Sequence, residues 1–233
     1  MNYSFVPMTL EERQNALNCI FAKANEDGTL PYTPDWDWED YFNMVDIPAG
    51  KVKVDSFILA QGFVENKGPI KMSSTIITQQ QFFDIMGYNP SENEHPQRPV
   101  TNVNYFELAL FCNRCSMLAG KPCIMCFLED DVFKPIVNLV DQGDIHLLTH
   151  YKSKFIPPDA NGDSRVRGFR PPTIEEFKFA AFGAGDSIEH FVQNAHDFSC
   201  RQDFSVAQLL PNSFGIYDIG TELWLWTSSI FED

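Results

Sequence analysis

Apolar residues recur at helical spacing in four segments of the chain, and a capping sequence precedes each of them. In a capping box, a Ser, Thr or Asn and an acid or amide three residues later satisfy each other's free backbone amides. The four boxes begin at Thr9, Thr78, Asn104 and Thr173. Glycine, the usual residue just beyond a helix end, follows each apolar stretch, at Gly28, Gly87, Gly120 and Gly183. The pattern predicts four helices.

Short apolar runs between these segments predict strands over Met44–Ile47, Val52–Leu59 and Cys123–Phe127. The segment 129–167 mixes apolar and polar residues and carries Pro157-Pro158 and the polar run Asp159–Asp163, which indicates long loops. No repeat or low-complexity tract is visible. Several helices, few short strands and long loops together predict an irregular α+β domain.

The first 43 residues differ in composition from the rest of the chain. Residues 1–30 follow the helical pattern, whereas residues 31–42 are acidic and aromatic. We therefore expect an N-terminal extension over residues 1–43 and one domain over residues 44–233.

This extension contains the residues that we predict to bind a partner: Asp35, Trp36, Asp37, Trp38, Glu39 and Asp40. Aromatic side chains supply contact area at protein interfaces, and carboxylates attract a cationic partner. The alternative is that Trp36, Trp38 and Phe42 pack the extension onto the domain while the acidic side chains face water.

Charge narrows the classes of partner. The 233 residues include 17 Lys and Arg but 32 Asp and Glu, which gives a net charge of −15. Such a surface repels nucleic acid and anionic membranes and suits a basic protein partner, or solubility alone. No apolar stretch reaches the roughly 18 residues of a membrane span, and the first ten residues lack a signal-peptide pattern. We expect a cytoplasmic protein whose six cysteines are reduced.

Three groups of residues have the spacing of metal ligands but lack other requirements. Cys112–Cys115 and Cys123–Cys126 are spaced like zinc ligands. A strand over Cys123–Phe127, however, would point its two thiols to opposite faces. His146 and His150 lack the glutamate of a zinc-protease motif, and the Asp159–Asp163 run lacks the glycine of a calcium loop. We predict no metal ligand and no cofactor, with the thiols buried and unreactive.

Six ordered blocks of the sequence resemble the signature of the formylglycine-generating enzyme family, also called sulfatase-modifying factors. The blocks cover Met44–Gly50, Thr78–Ser91, Arg98–Tyr105, Ala109–Asn113, Gly168–Phe177 and Pro211–Thr227. The last reads P-N-S-F-G-I-Y-D-I-G-T-E-L-W-L-W-T, close to the family's P-N-x-F-G-L-Y-D-M-x-G-N-V-W-E-W-T. The resemblance implies a compact, irregular α+β fold related to C-type lectins.

The sequence departs from this family where the family performs its chemistry. Family members oxidise a substrate cysteine with copper held by a cysteine pair that follows the W-E-W motif, and this sequence, up to Asp233, has no counterpart of either cysteine. Leu225 stands where the family has a calcium-binding glutamate, so only Glu222 would remain for a weak site. The resemblance therefore implies the fold without these two metal sites.

We accordingly expect a non-catalytic protein-binding module, for example an acidic binder or neutraliser of a basic partner protein. One alternative is a divergent copper-dependent oxidase that uses other cysteines, such as Cys200 with Cys112. Another is a lectin-like receptor for a small ligand or glycan. A second copy of the chain is a further expected partner, because an open sheet edge favours pairing.

Overall fold

A computed structural model describes residues 9, 11, 15, 19–25, 29–31, 35–56, 60–129, 132–136, 154–155, 168–182, 204–219 and 225–227. Its named helices are α1 (Trp38–Tyr41), α2 (Gln79–Met86), α3 (Tyr105–Leu118) and α4 (Ile174–Phe182). None of the described helices is long and apolar enough to cross a membrane.

Three of the four predicted capping boxes are confirmed, at Thr78, Asn104 and Thr173. Gly87 ends α2 in the left-handed conformation with φ of 82°, as expected for glycine beyond a helix. In the first predicted helix, residues 11, 15 and 19–21 are helical, and the rest of its cap lies outside the described residues.

Seven strands pair in three antiparallel groups within the described parts of the chain. β1 (Met44–Ile47) pairs with β4 (Ile70–Ser73), and β2 (Gly50–Ser56) forms a hairpin with β3 (Ala60–Asn66). β5 (Met125–Glu129) lies between β6 (Val132–Pro135) and β7 (Lys154–Phe155). The predicted β1 is confirmed, and the strand predicted over Val52–Leu59 is observed over Gly50–Ser56.

The strand predicted over Cys123–Phe127 is wrong in its bounds, since β5 begins at Met125. Asn113, which is fully buried on α3, fixes this start. Its amide donates to the carbonyl oxygens of Met125 and Ile136 at 2.6 and 2.8 Å and accepts from the Met125 amide at 3.1 Å. Cys123 therefore precedes the strand, and the argument that its thiol opposes that of Cys126 across a sheet does not apply.

The core has two main parts. The first surrounds α2 and α3, where the rings of Phe82 and Phe111 stack at 5.4 Å. The second joins Ile47 and Val64 to α4 and to Ile216. Helices, short strands and irregular segments thus form the α+β architecture that the sequence predicts. The boundary near residue 43 stays a prediction, although Phe42 is buried in the first core.

Candidate functional site

The segment predicted to bind a partner is fixed to the first core by its aromatic residues. Trp36 meets the rings of Tyr41 and Phe42 edge-on, at 5.4 and 5.7 Å. Trp38 meets Phe169 in the same way at 5.2 Å. The Tyr41 hydroxyl donates to Asp84 at 2.9 Å, which ties α1 to α2. The two tryptophans are half-buried, so packing uses much of the aromatic surface that the sequence offers for binding.

The acidic residues of the same segment face solvent. We call the exposed Asp35, Asp37, Glu39 and Asp40 the acidic edge. Asp37 also caps α1, since its carboxylate accepts from the Asp40 amide at 3.1 Å. The structure therefore brings the six predicted residues together but divides them, with rings against the core and carboxylates toward water. This division is the alternative that the sequence left open.

One of these carboxylates is already neutralised. Glu39 and Asp46 each lie 3.0 Å from the Lys71 ammonium. Their hydrogen bonds and negative charges raise the pKa of Lys71 above its usual value. No ion pair of this kind involves Asp35 or Asp40 within the described parts of the chain.

The acidic edge borders an open cleft of about 940 Å³. Asp37, Glu39 and Asp40 line this cleft, which we call the acidic cleft. Ser74 and Tyr217 line it too and are joined by a 2.8 Å bond from the Tyr217 amide to the Ser74 carbonyl. Because the cleft is open and three carboxylates line it, it suits the cationic side chains of a partner better than an apolar ligand.

A second recess, of about 680 Å³, lies between the two parts of the core, and we call it the apolar cavity. Aromatic rings of the first core, among them Phe82 and Phe111, line it together with Ile216 of the second. Leu225 and Trp226 also line it and keep 42% and 50% of their surface exposed. This cavity could not be predicted from the sequence, because its walls come from distant segments whose hydrophobic pattern is that of ordinary core residues.

An ion pair stands in the wall of this cavity. Arg170 donates both terminal nitrogens to Glu176 at 2.6 Å, and both side chains are largely buried. Burial alone would raise the pKa of Glu176. The hydrogen bonds and charge of Arg170, with bonds from Thr173, outweigh burial and hold this pKa below its usual value. The pair is therefore charged at neutral pH and satisfied internally.

The buried cysteines of the described segments are unsuited to holding copper. Cys112, Cys115, Cys123 and Cys126 are buried and form no disulfide bond among the described residues, while Cys19 is exposed. Burial raises the pKa of Cys112 to about 12 and that of Cys126 to about 11. Burial likewise raises the pKa of Cys115 well above its usual value. Copper(I) binds the thiolate, and these groups are thiols at neutral pH.

No three metal-binding side chains come together among the described residues. Leu225 is described and offers no ligand oxygen in its side chain. The other residues weighed as metal ligands or for copper chemistry lie outside the described residues: Glu222, Cys200, His146, His150 and the run from Asp159 to Asp163.

Two polar residues of the C-terminal block Pro211–Thr227, Asn212 and Asp218, stabilise the fold through hydrogen bonds to the backbone. The Asn212 side chain accepts from the amides of Phe214 and Ile216, both at 3.0 Å, and donates to the Ala180 carbonyl at 2.7 Å. Asp218 is buried and accepts from the Ala207 amide at 2.6 Å. These bonds supply acceptors for backbone amides of an irregular loop, which has no helix or strand ladder to pair them. Sequence reasoning found this block by resemblance but did not give these residues a role.

Comparisons with known proteins agree with this architecture. The sequence model described as "Sulfatase-modifying factor enzyme 1-like domain" matches residues 28–233, and the chain therefore belongs to this family. The "Treponema denticola variable protein 1" structure is similar, with a TM-score of 0.56 and 23% identity over 75% of this chain and 68% of that one. A CarF crystal structure gives a looser match, with a TM-score of 0.43 and 21% identity over 75% and 76% of the two chains.

A curated relative comes from Paenibacillus barcinonensis and is named "Chaperone protein LppX". It is 23% identical over an alignment of 178 residues, and the match covers 64% of this chain. The match spans 59% of the relative's own length.

Proposed function

We propose that this member of the sulfatase-modifying factor enzyme 1-like family is a non-catalytic binding module whose acidic edge holds a basic protein partner. The observation that carries this proposal is the division of residues 35–40. Trp36 and Trp38 pack against the core, while Asp35, Asp37, Glu39 and Asp40 are exposed. A charged surface that is already held in place loses less conformational entropy on binding than a mobile one.

Charge supports a basic partner. The net charge of −15 attracts cationic surfaces over a distance of about one Debye length, roughly 8 Å at physiological salt. Close to the protein, the acidic cleft adds three carboxylates of the acidic edge to the hydroxyl-bearing side chains of Ser74 and Tyr217. Lysine and arginine side chains of a partner would find both charge and hydrogen-bond acceptors there.

Two further observations support binding over catalysis. The buried cysteines of α3 and β5 are protonated at neutral pH, which disfavours the copper chemistry of the family's oxidases. In addition, a relative carries the name of a chaperone, a class of protein that holds other proteins. Its 23% identity makes this support for the class of function and not for a particular partner.

Affinity capture from the native lysate, at about 50 and 500 mM salt, tests the proposal when two charge variants are compared. Asp35→Asn/Asp40→Asn removes two charges of the acidic edge. Glu92→Gln/Glu94→Gln removes two charges from exposed residues away from the acidic cleft. We expect a basic protein to be captured at low salt, about tenfold less by the first variant and equally by the second.

Three results would contradict the proposal. Capture that is insensitive to salt would remove the electrostatic basis, and equal loss in both variants would show that only net charge matters. Copper-dependent oxidation of a cysteine peptide by the purified chain would establish the oxidase alternative instead.

A further inference from the structure

The apolar cavity has at least one wall that is held in place. The Phe169 amide donates to the Ser116 hydroxyl at 2.7 Å, which joins the segment 168–172 to α3. At Gly168 the backbone lies so close to this helix that a Cβ atom would overlap the Pro122 carbonyl oxygen and the Ser116 hydroxyl. Phe169 and Arg170 follow directly and line the cavity. A recess with such a fixed wall is preformed, as small-molecule sites usually are.

Most charged groups around the cavity are satisfied by their neighbours. Lys71 lies between Glu39 and Asp46, and Arg170 is paired with Glu176. Asp218 accepts the amides of Ala207 and Leu209 at 2.6 and 3.3 Å. These groups have little attraction left for a charged ligand.

Lys121 is different. Its ammonium lies over the Trp38 ring, 4.7 Å from the ring centroid, and the side chain is half-buried at the cavity. No carboxylate lies within ion-pair distance of it in the described parts of the chain. Acidic residues outnumber basic ones 32 to 17 in this protein, yet this lysine at an apolar recess has no carboxylate partner among the described residues.

We propose that the apolar cavity binds a small amphiphile, an aliphatic or aromatic body carrying one carboxylate, with the carboxylate on Lys121. The volume of about 680 Å³ falls within the range of roughly 300–1,000 Å³ typical of ligand sites, and the walls are mainly apolar. A charge-assisted hydrogen bond to the half-buried ammonium fixes the ligand's polar end. This site shares Glu39 with the acidic edge, but the argument for it does not depend on the proposed function.

A monovalent carboxylate fits better than a phosphate. One lysine supplies a single positive charge, and the carboxylates of Glu39, Asp46 and Glu176 lie around the same recess. A phosphate monoester carries a second negative charge, for which Lys121 supplies no matching positive charge. A cationic amphiphile is disfavoured because Lys121 would repel its head group.

Isothermal titration calorimetry of the full chain with decanoate tests the proposal, with decanol and decylammonium as probes of the same chain length. We expect decanoate to bind with one molecule per chain, decanol to bind more weakly, and decylammonium not to bind. Lys121→Met should weaken decanoate about tenfold and change decanol less than about twofold. Lys121→Arg should restore decanoate binding, because it retains the charge.

A matched control is available in Lys51, whose ammonium also lies over an aromatic ring, 5.3 Å from the centroid of Phe63 on the β2–β3 hairpin. Lys51 does not line the cavity, so Lys51→Met should leave decanoate binding unchanged. Ile77→Phe adds volume to the cavity wall and should weaken decanoate and decanol alike. Thermal unfolding of each variant checks that it is folded.

Four results would overturn the proposal. They are no decanoate binding by the folded wild-type chain, equal binding of decanoate and decylammonium, full decanoate affinity in Lys121→Met, and equal loss in Lys51→Met. The first would show that the cavity is closed to ligands in solution. The others would show apolar or surface adsorption without the lysine.

Discussion

The acidic cleft and the apolar cavity are neighbours that share Glu39, Met44, Thr75 and Tyr217, yet they are built in different ways. The acidic residues of the cleft are neighbours in one short segment. Aromatic and acidic residues alternate there, so the rings pack inward and the carboxylates face water. The cavity forms only where segments from Trp38 to Trp226 meet. A charged surface can therefore be formed by one short segment of sequence, whereas an apolar recess requires distant segments to pack together.

The largest expected effect is on the free energy of unfolding, which a substitution in the cavity wall should lower far more than one in the acidic cleft. Phe111 forms part of the cavity wall, stacks on Phe82 at 5.4 Å and is buried. Phe111→Ala should lower the free energy of unfolding by about 3–5 kcal/mol, because it removes apolar contacts and enlarges a void. Urea denaturation measures this loss.

Asp40→Asn, in the acidic cleft, is the counterpart and should change the free energy of unfolding by less than about 0.5 kcal/mol. Comparable losses in the two variants would contradict the view that the cavity is part of the core and the acidic edge is not.

The second effect tests the ion pair in the cavity wall. Glu176→Gln should cost about 2–3 kcal/mol at pH 7, because it leaves the largely buried Arg170 without its counter-charge. The pKa of Glu176 is lowered in the folded chain, so its contribution to stability is complete above the unfolded pKa of about 4.3. This contribution is lost as pH falls through the folded pKa.

Urea denaturation between pH 7 and pH 3 should therefore show a smaller difference between wild type and Glu176→Gln at the acidic end. A difference that stays constant with pH would assign the cost to packing or to the capping box with Thr173, and not to the charge.

The local features were predictable from sequence because their causes are local. Capping boxes at Thr78, Asn104 and Thr173 follow from side chains three residues apart, and β1 follows from a short apolar run. The start of β5 was not predictable, because Asn113 on another element fixes it at Met125.

The candidate sites divide in the same way. The outward acids of residues 35–40 could be predicted, but the contact of Trp38 with Phe169 could not, since more than a hundred residues separate them in sequence. The apolar cavity and the unpaired charge of Lys121 depend on many such contacts.

The third effect concerns Trp38, which supports both the acidic edge and the wall of the apolar cavity. Trp38 carries the acidic edge on one side and meets Phe169 and Lys121 on the other. Trp38→Ala should cost about 2 kcal/mol, less than a fully buried ring, because this side chain is only half-buried. It should also weaken decanoate binding, measured by calorimetry, and capture of the basic partner, measured by affinity capture at low salt. Loss of only one of these activities would show that the ring supports one recess alone.

The fourth effect compares two lysines at the cavity. Lys71 is paired with Glu39 and Asp46, whereas the Lys121 ammonium lies over the Trp38 ring and has no carboxylate within ion-pair distance among the described residues. Lys71→Met should cost less than about 1 kcal/mol, because the pair is exposed and screened by salt. The pKa of Lys71 is raised on folding, so this small contribution is present below the unfolded pKa of about 10.4 and is lost as pH rises through the folded pKa.

Binding should separate the two lysines more clearly than stability does. Lys71→Met releases Glu39 and so should strengthen capture of a basic partner, while decanoate binding should weaken less than in Lys121→Met, because the charge removed was already paired. Lys121→Met should do the reverse, with weaker decanoate binding and unchanged partner capture. If the two variants weakened decanoate equally, the ligand would be responding to the summed charge of the region, and the distinction between a paired and an unpaired lysine would be lost.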